Sequence, residues 1–211
     1  MQFEQFLSFL ENRLTQELPG KEAQFKMASL RRIANLNVYS DYSGARKSGV
    51  LILFFPEQGK INTVVIKRPE YDGVHSGQIS FPGGRWEEGD TDLTGTALRE
   101  AQEEIGIDPS LVTILGHLSD LYIPPSNSLV FPAIGFIGSK PEMSAQPKEV
   151  EKIICFPLDE LFLPETLTIK TVSVGNWSAE VPCFYVRDQI IWGATAMIIS
   201  ELLEIIRPNF L

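Results

Sequence analysis

Between Gly83 and Ile107 the chain reads GGRWEEGDTDLTGTALREAQEEIGI, and this stretch constrains the fold more than any other. Thr91 or Asp92 can cap a helix running from about Leu93 to Ile105, and Gly106 can close it. At about 3.6 residues per turn, Glu100, Glu103 and Glu104 fall at i, i+3 and i+4 and share one face. Ala97, Leu98, Ala101 and Ile105 are left to cover much of the rest. The fold therefore has to bury one side of this helix and give its acidic side something to do.

Like charges at this spacing destabilise a helix by a few tenths of a kcal/mol per pair, or about 0.2–0.5. Arg99 offsets part of that, and a divalent cation would offset far more. Carboxylate oxygens are hard ligands and suit Mg²⁺ or Mn²⁺, which keep several waters and bridge to phosphates. The Gly83-Gly84 pair lets a main-chain carbonyl come close to such an ion. An acidic helix face is more often simply solvated. Here the Gly-Gly pair, the polar loop, Arg99-Glu100, Glu103-Glu104 and the closing Gly106 occur together, and the combination favours a metal site.

The segment resembles the Nudix box: Gly, five residues, Glu, seven residues, Arg-Glu, an apolar residue, any residue, Glu-Glu, any residue, Gly, an apolar residue. Arg99 to Ile107 fits throughout, with the small Ala101 at the apolar position. The first half departs. Asp90 stands six positions after Gly84 where Glu is usual, and eight residues separate it from Arg99, so it is not carried over as a site residue. Upstream, VVIKRPEYDGVHSGQISFPGG, Val64 to Gly84, is similar to the element preceding the box in coenzyme A pyrophosphatases. Arg68, Gly77, Phe81, Pro82, Gly83 and Gly84 match it, whereas Pro69 replaces a usual Ser and Gly73 a common basic residue.

The resemblance implies an α/β chain, a Nudix-type α/β/α sandwich with a mixed sheet and extra N-terminal helices over about residues 1–36. It implies Mg²⁺ or Mn²⁺ on Glu100, Glu103, Glu104 and the Gly84 main chain. Arg99 orients the glutamates, and Glu100 is one candidate for the base. Family members also use a glutamate from a later loop, which makes Glu149 or Glu151 the second candidate. Gly83, Arg68 and Arg46 are expected to face the substrate, a small nucleotide-diphosphate molecule. Coenzyme A or its acyl form is the leading choice. ADP-ribose or a dinucleotide is the alternative, and a nucleotide-sensing domain without catalysis is a reading of another class. Lys47, His75, Tyr122, Trp177 and Trp192 are weaker candidates for ligand contact.

The remaining pattern is consistent with one domain over residues 1–211. Residues 3–18 and 21–36 read as helices, and Gly49–Phe55 and Ile61–Lys67 as a hairpin around Glu57-Gln58-Gly59-Lys60. Val112–Leu118, Leu129–Ile137 and Ile153–Phe156 read as strands. Ile169–Val174 and Pro182–Val186 form a further pair around Gly175-Asn176, and a helix near Ala194–Ile206 comes last. The net charge of -9 argues against a broad nucleic-acid face. No stretch has the length and apolarity of a membrane span, and no secretory signal is visible. Cys155 and Cys183 lie in no CxxC pattern and suit a reducing cytoplasm. The sequence does not fix oligomeric state and leaves a homodimer open.

Overall fold

The computed structural model describes residues 2–34, 42–70, 76–174 and 177–209, without the side chains of Val174, Trp177 and Asn209. Gly73, His75 and the turn expected at Gly175-Asn176 lie outside the described residues, as does the Trp177 ring.

The apolar run after residue 48 forms β1, Arg46–Glu57, and it organises the sheet. Gln58 (φ 52°) and Gly59 (φ 73°) turn it into β2, Lys60–Lys67. Two central residues at positive φ give the twist that a two-residue antiparallel hairpin needs. Along one edge β1 pairs in parallel with β7, Ser128–Phe136, from Arg46↔Ser128 to Phe54↔Phe136. Its other edge is divided. Phe54–Glu57 pair with β2, whereas Ser48–Val50 pair with β4, Gly83–Arg85. This division brings the Gly-Gly segment into the sheet as a strand. β2 pairs in addition with β3, Ile79–Ser80, and with β8, Lys152–Pro157. β7 carries β5, Thr113–His117, and β6, Leu121–Ile123.

Successive side chains of a strand point to opposite faces, and β1 is apolar on both. Leu51, Leu53 and Phe55 join Val64, Ile66 and Ala133 beneath Ala97, Ala101 and Ile105 of α4, Leu93–Ile105. Ile52 and Phe54 join the opposite cluster, with Phe6 and Leu10 of α1, Phe3–Leu14, and the apolar residues of α5, Gly193–Ile206. Each fully buried side chain of this size contributes roughly 1.5–3 kcal/mol. The result is the expected α/β/α sandwich with a mixed sheet. Gly49 sets how closely its layers approach: a Cβ there would lie 2.2 Å from the Leu93 carbonyl oxygen and 3.0 Å from the Ala97 nitrogen. Only glycine lets the first turn of α4 rest directly on β1.

The N-terminal region departs from the expected single helix over 21–36. It forms α2, Gly20–Phe25, and a separate α3, Leu30–Ala34. Bonds from Lys26, Met27 and Ala28 N–H to the carbonyls three residues back tighten and end α2. Ser29 then opens α3, its carbonyl and hydroxyl both accepting from Arg32 N–H. Met27 and Ala28, at the break, are buried. The first helix stops at Leu14, short of Pro19-Gly20, because Thr15 N–H and hydroxyl turn back onto the Asn12 carbonyl. At the other end, β9 (Leu167–Val174), β10 (Trp177–Val186) and β11 (Gln189–Trp192) form a separate three-stranded sheet. Its residues Phe184, Val186 and Ile191 share the α5 core. No described helix is long and apolar enough to cross a membrane.

Candidate active site

The site lies where α4 crosses β4. Asp92 caps α4 by accepting from Gly95 N–H at 2.7 Å, and Gly106 closes it in the left-handed conformation at φ 73°. These ends fix the phase of the helix, which turns Glu100 and Glu104 toward the Gly83-Gly84 strand. A Cβ on Gly84 would sit 2.4 Å from the Glu100 carboxylate, so the glycine makes room for that group.

Glu104 is 1% exposed. One carboxylate oxygen accepts from Gly83 N–H at 2.8 Å and the other from Arg68 Nη2 at 3.1 Å. Burial pushes its carboxyl up to about 7, against the opposing pull of Arg68 and the Gly83 N–H. Glu100 is also raised, mainly by burial and in part by Glu103 and Glu149, while Arg99 pulls it down. Glu149, on the loop before β8, joins them: one oxygen from each of Glu100, Glu104 and Glu149 can be chosen so that all lie within 4.8 Å of one another. The other loop candidate is engaged elsewhere. Glu151 pairs with Lys67 Nζ at 2.6 Å and donates its N–H to the Lys67 carbonyl at 2.8 Å.

The donor set fits a divalent cation. Three close carboxylates, two of them already disfavoured as anions, are the hard oxygen ligands that Mg²⁺ or Mn²⁺ takes. The structure thus brings Glu100, Glu104, Glu149 and Gly84 together, with Arg99, Arg68 and Gly83 bonded to the two helix glutamates. Glu103 stands apart, with its side chain 52% exposed and held by Arg99 Nη1 at 3.1 Å. Arg46 is exposed at the start of β1, and its main-chain N–H binds the Asn127 carbonyl at 2.8 Å. Arg68, expected to face the substrate, directs Nη2 to Glu104 and to the Gly83 carbonyl at 2.9 Å. Gly83 likewise directs its N–H to Glu104.

Asp90 is the residue that sequence reasoning left out. Both of its oxygens grip Arg99, at 2.8 Å to Nε and 3.1 Å to Nη2. Thr96 hydroxyl and Glu87 N–H hold it in place at 2.8 and 3.0 Å. The Arg99 hydrogen bond is the main reason its carboxyl lies well below the usual range. Arg99 then reaches Glu100 at 3.1 Å and the Arg85 carbonyl at 2.9 Å, joining helix and strand. The signal was present in the Gly84–Asp90 spacing. The extra residue before Arg99 obscured it, because the loop takes up that residue ahead of the helix. If Asp90 acts by aiming Arg99, Asp90→Ala should lower kcat by about tenfold or more, as the loss of a group supporting metal ligands commonly does. Steady-state kinetics on the folded variant check this, and wild-type kcat would leave Asp90 without an orienting role.

Comparison with known proteins places this geometry in a family. The NUDIX domain model matches residues 45–176. The chain is 33% identical over 199 residues to Nudix hydrolase 15, mitochondrial, of Arabidopsis thaliana, covering 90% of this chain and 68% of that one. It is 31% identical over 159 residues to the peroxisomal coenzyme A diphosphatase NUDT7 of Mus musculus, covering 74% and 67%. It is 30% identical over 204 residues to the uncharacterised Nudix hydrolase NudL of Yersinia pestis, covering 95% and 94%. Among solved structures, the Nudix hydrolase RenU of M. smegmatis superposes with a TM-score of 0.55 at 13% identity, over 78% of this chain and 88% of that one. With the box on α4, its carboxylates gathered at the Gly-Gly strand and a family match over more than half its length, this chain belongs to the Nudix family of pyrophosphohydrolases.

Proposed function

We propose that this protein hydrolyses the diphosphate of coenzyme A or an acyl-coenzyme A, giving 3′,5′-ADP and 4′-phosphopantetheine or its acyl form, with Mg²⁺ or Mn²⁺. The observation that carries the hydrolytic reading is the convergence of Glu100, Glu104 and Glu149 beside the Gly83-Gly84 strand. The coenzyme A part rests on the Val64–Gly84 element and on the likeness to NUDT7.

A bound divalent cation supplies charge neutralisation on the diphosphate and a more acidic water. The chain's own residues do the rest. Glu100 and Glu104 present oxygens from α4, and Glu149 presents one from the loop opposite. Glu100 is held by Arg99 in the space that Gly84 leaves open and is partly accessible to solvent, so it can accept the proton of the attacking water. Arg46 and Lys47 are exposed at the start of β1 and are basic groups that an anionic substrate can reach. The two free thiols, Cys155 and Cys183, fit a reducing, cytoplasmic setting.

The test is a substrate panel. Coenzyme A should be cleaved with higher kcat/KM than ADP-ribose. Its 3′-phosphate can form a charge-assisted hydrogen bond worth about 1.5–3 kcal/mol, or roughly one to two decades. Equal kcat/KM for coenzyme A and 3′-dephospho-coenzyme A would remove the phosphate-reading argument. A preference for ADP-ribose or a dinucleoside polyphosphate would move the chain to the alternative substrate class, and turnover of none would leave the sensing role.

A further inference from the structure

Arg68 follows β2 directly, and its main chain is pinned there by a bond from its N–H to the Gln78 carbonyl at 3.0 Å. Its side chain closes a ring of three hydrogen bonds. Arg68 Nη2 donates to one oxygen of Glu104 at 3.1 Å and to the Gly83 carbonyl at 2.9 Å. The Gly83 N–H donates to the other oxygen of Glu104 at 2.8 Å. The ring ties three separate elements together: the end of β2, the first residue of β4 and the last turn of α4. It holds a carboxylate that is almost entirely out of water, and Arg68 is the only cation paired with it among the described residues. A guanidinium suits this task because one nitrogen can serve two acceptors while the planar group keeps its orientation.

We propose that Arg68 is a positioning residue: it fixes Glu104 against the Gly83 main chain and so sets the geometry in which the α4 carboxylates take a divalent cation. This differs from the phosphate-reading role that its place in the Val64–Gly84 element suggests. A group whose Nη2 hydrogens are both committed to the protein acts on the metal ligand first. The inference rests on the metal-site reading above but does not depend on which diphosphate is the substrate.

The experiment measures Mn²⁺ binding to the substrate-free protein, by titration followed with electron paramagnetic resonance, in wild type, Arg68→Gln and Arg68→Lys. Arg68→Gln is expected to bind Mn²⁺ about 10–100-fold more weakly, the usual consequence of removing a group that orients a metal ligand. At saturating Mn²⁺ its substrate KM should move by less than about threefold, since metal occupancy is then restored by mass action. Arg68→Lys keeps the charge but not the fork, and should fall between the two. It serves as the deciding variant if Arg68→Gln does not fold by circular dichroism. Unchanged Mn²⁺ affinity in a folded variant, with or without a raised KM, overturns the proposal. Failure of wild type itself to bind Mn²⁺ would instead overturn the metal-site reading.

Discussion

Glu104→Gln is expected to lose most Mg²⁺-supported turnover, at least about a hundredfold in kcat, while remaining folded. The amide is nearly the same size as the carboxylate. Its oxygen can still accept from Gly83 N–H, so the contact of α4 with β4 survives. What it lacks is the negative charge and the second acceptor that faces Arg68. Stability separates this loss from unfolding. In metal-free protein the Glu104 carboxyl is pushed up by burial from 4.5 to about 7, so ionising it opposes folding. The sign follows: a folded-state value above the unfolded one means stability is fully present below about pH 4.5 and is lost as pH rises through about 7. An amide escapes that pH-dependent loss, so between pH 5 and pH 8 the melting temperature of metal-free Glu104→Gln should fall less than that of metal-free wild type. Kinetics with saturating Mg²⁺ and a thermal melt with chelator check both halves. Wild-type turnover in the variant would remove Glu104 from the metal site.

The second large effect concerns the proton acceptor. Glu100→Gln should depress kcat by roughly a hundredfold or more at saturating metal, the usual cost of removing a general base. Its carboxylate lies against Gly84 and is aimed by Arg99 Nη1 at 3.1 Å, while Arg99 is itself gripped by Asp90. A base needs this kind of fixed direction and a partly open face. Glu149 has the opening but no helix to hold it; it lies exposed on the loop before β8. Paired Gln variants, assayed across a range of Mg²⁺, decide between them. If Glu149→Gln lost about as much kcat while Glu100→Gln only shifted the metal requirement, the base would be Glu149.

The helix that carries the chemistry was legible from the residues alone. Its cap, its closing glycine and its shared acidic face are local properties, set by a rise and a turn that hold in any fold. The hairpin around Gln58-Gly59 was readable for the same reason. The mixed α/β architecture was what the resemblance to the Nudix box implied, and the strands buried on both faces have helices to cover them.

Other features were decided by contacts between distant segments. The sequence offered Glu103 on the same terms as Glu100 and Glu104, yet packing against β4 buries Glu104, partly buries Glu100 and leaves Glu103 half exposed beside Arg99. It offered Glu149 and Glu151 equally, and Lys67 on a neighbouring strand engages Glu151. It set Asp90 aside for its spacing, which says nothing about the path of a loop; the folded loop brings both its oxygens onto Arg99. A sequence shows the charge of Arg68 without its partner in the protein, and that partner, Glu104, is 36 residues away. Periodicity fixes which side chains share a face of one element. Which of them are buried, paired or left open depends on what packs against that face, and here only the meeting of β2, β4 and α4 supplies it.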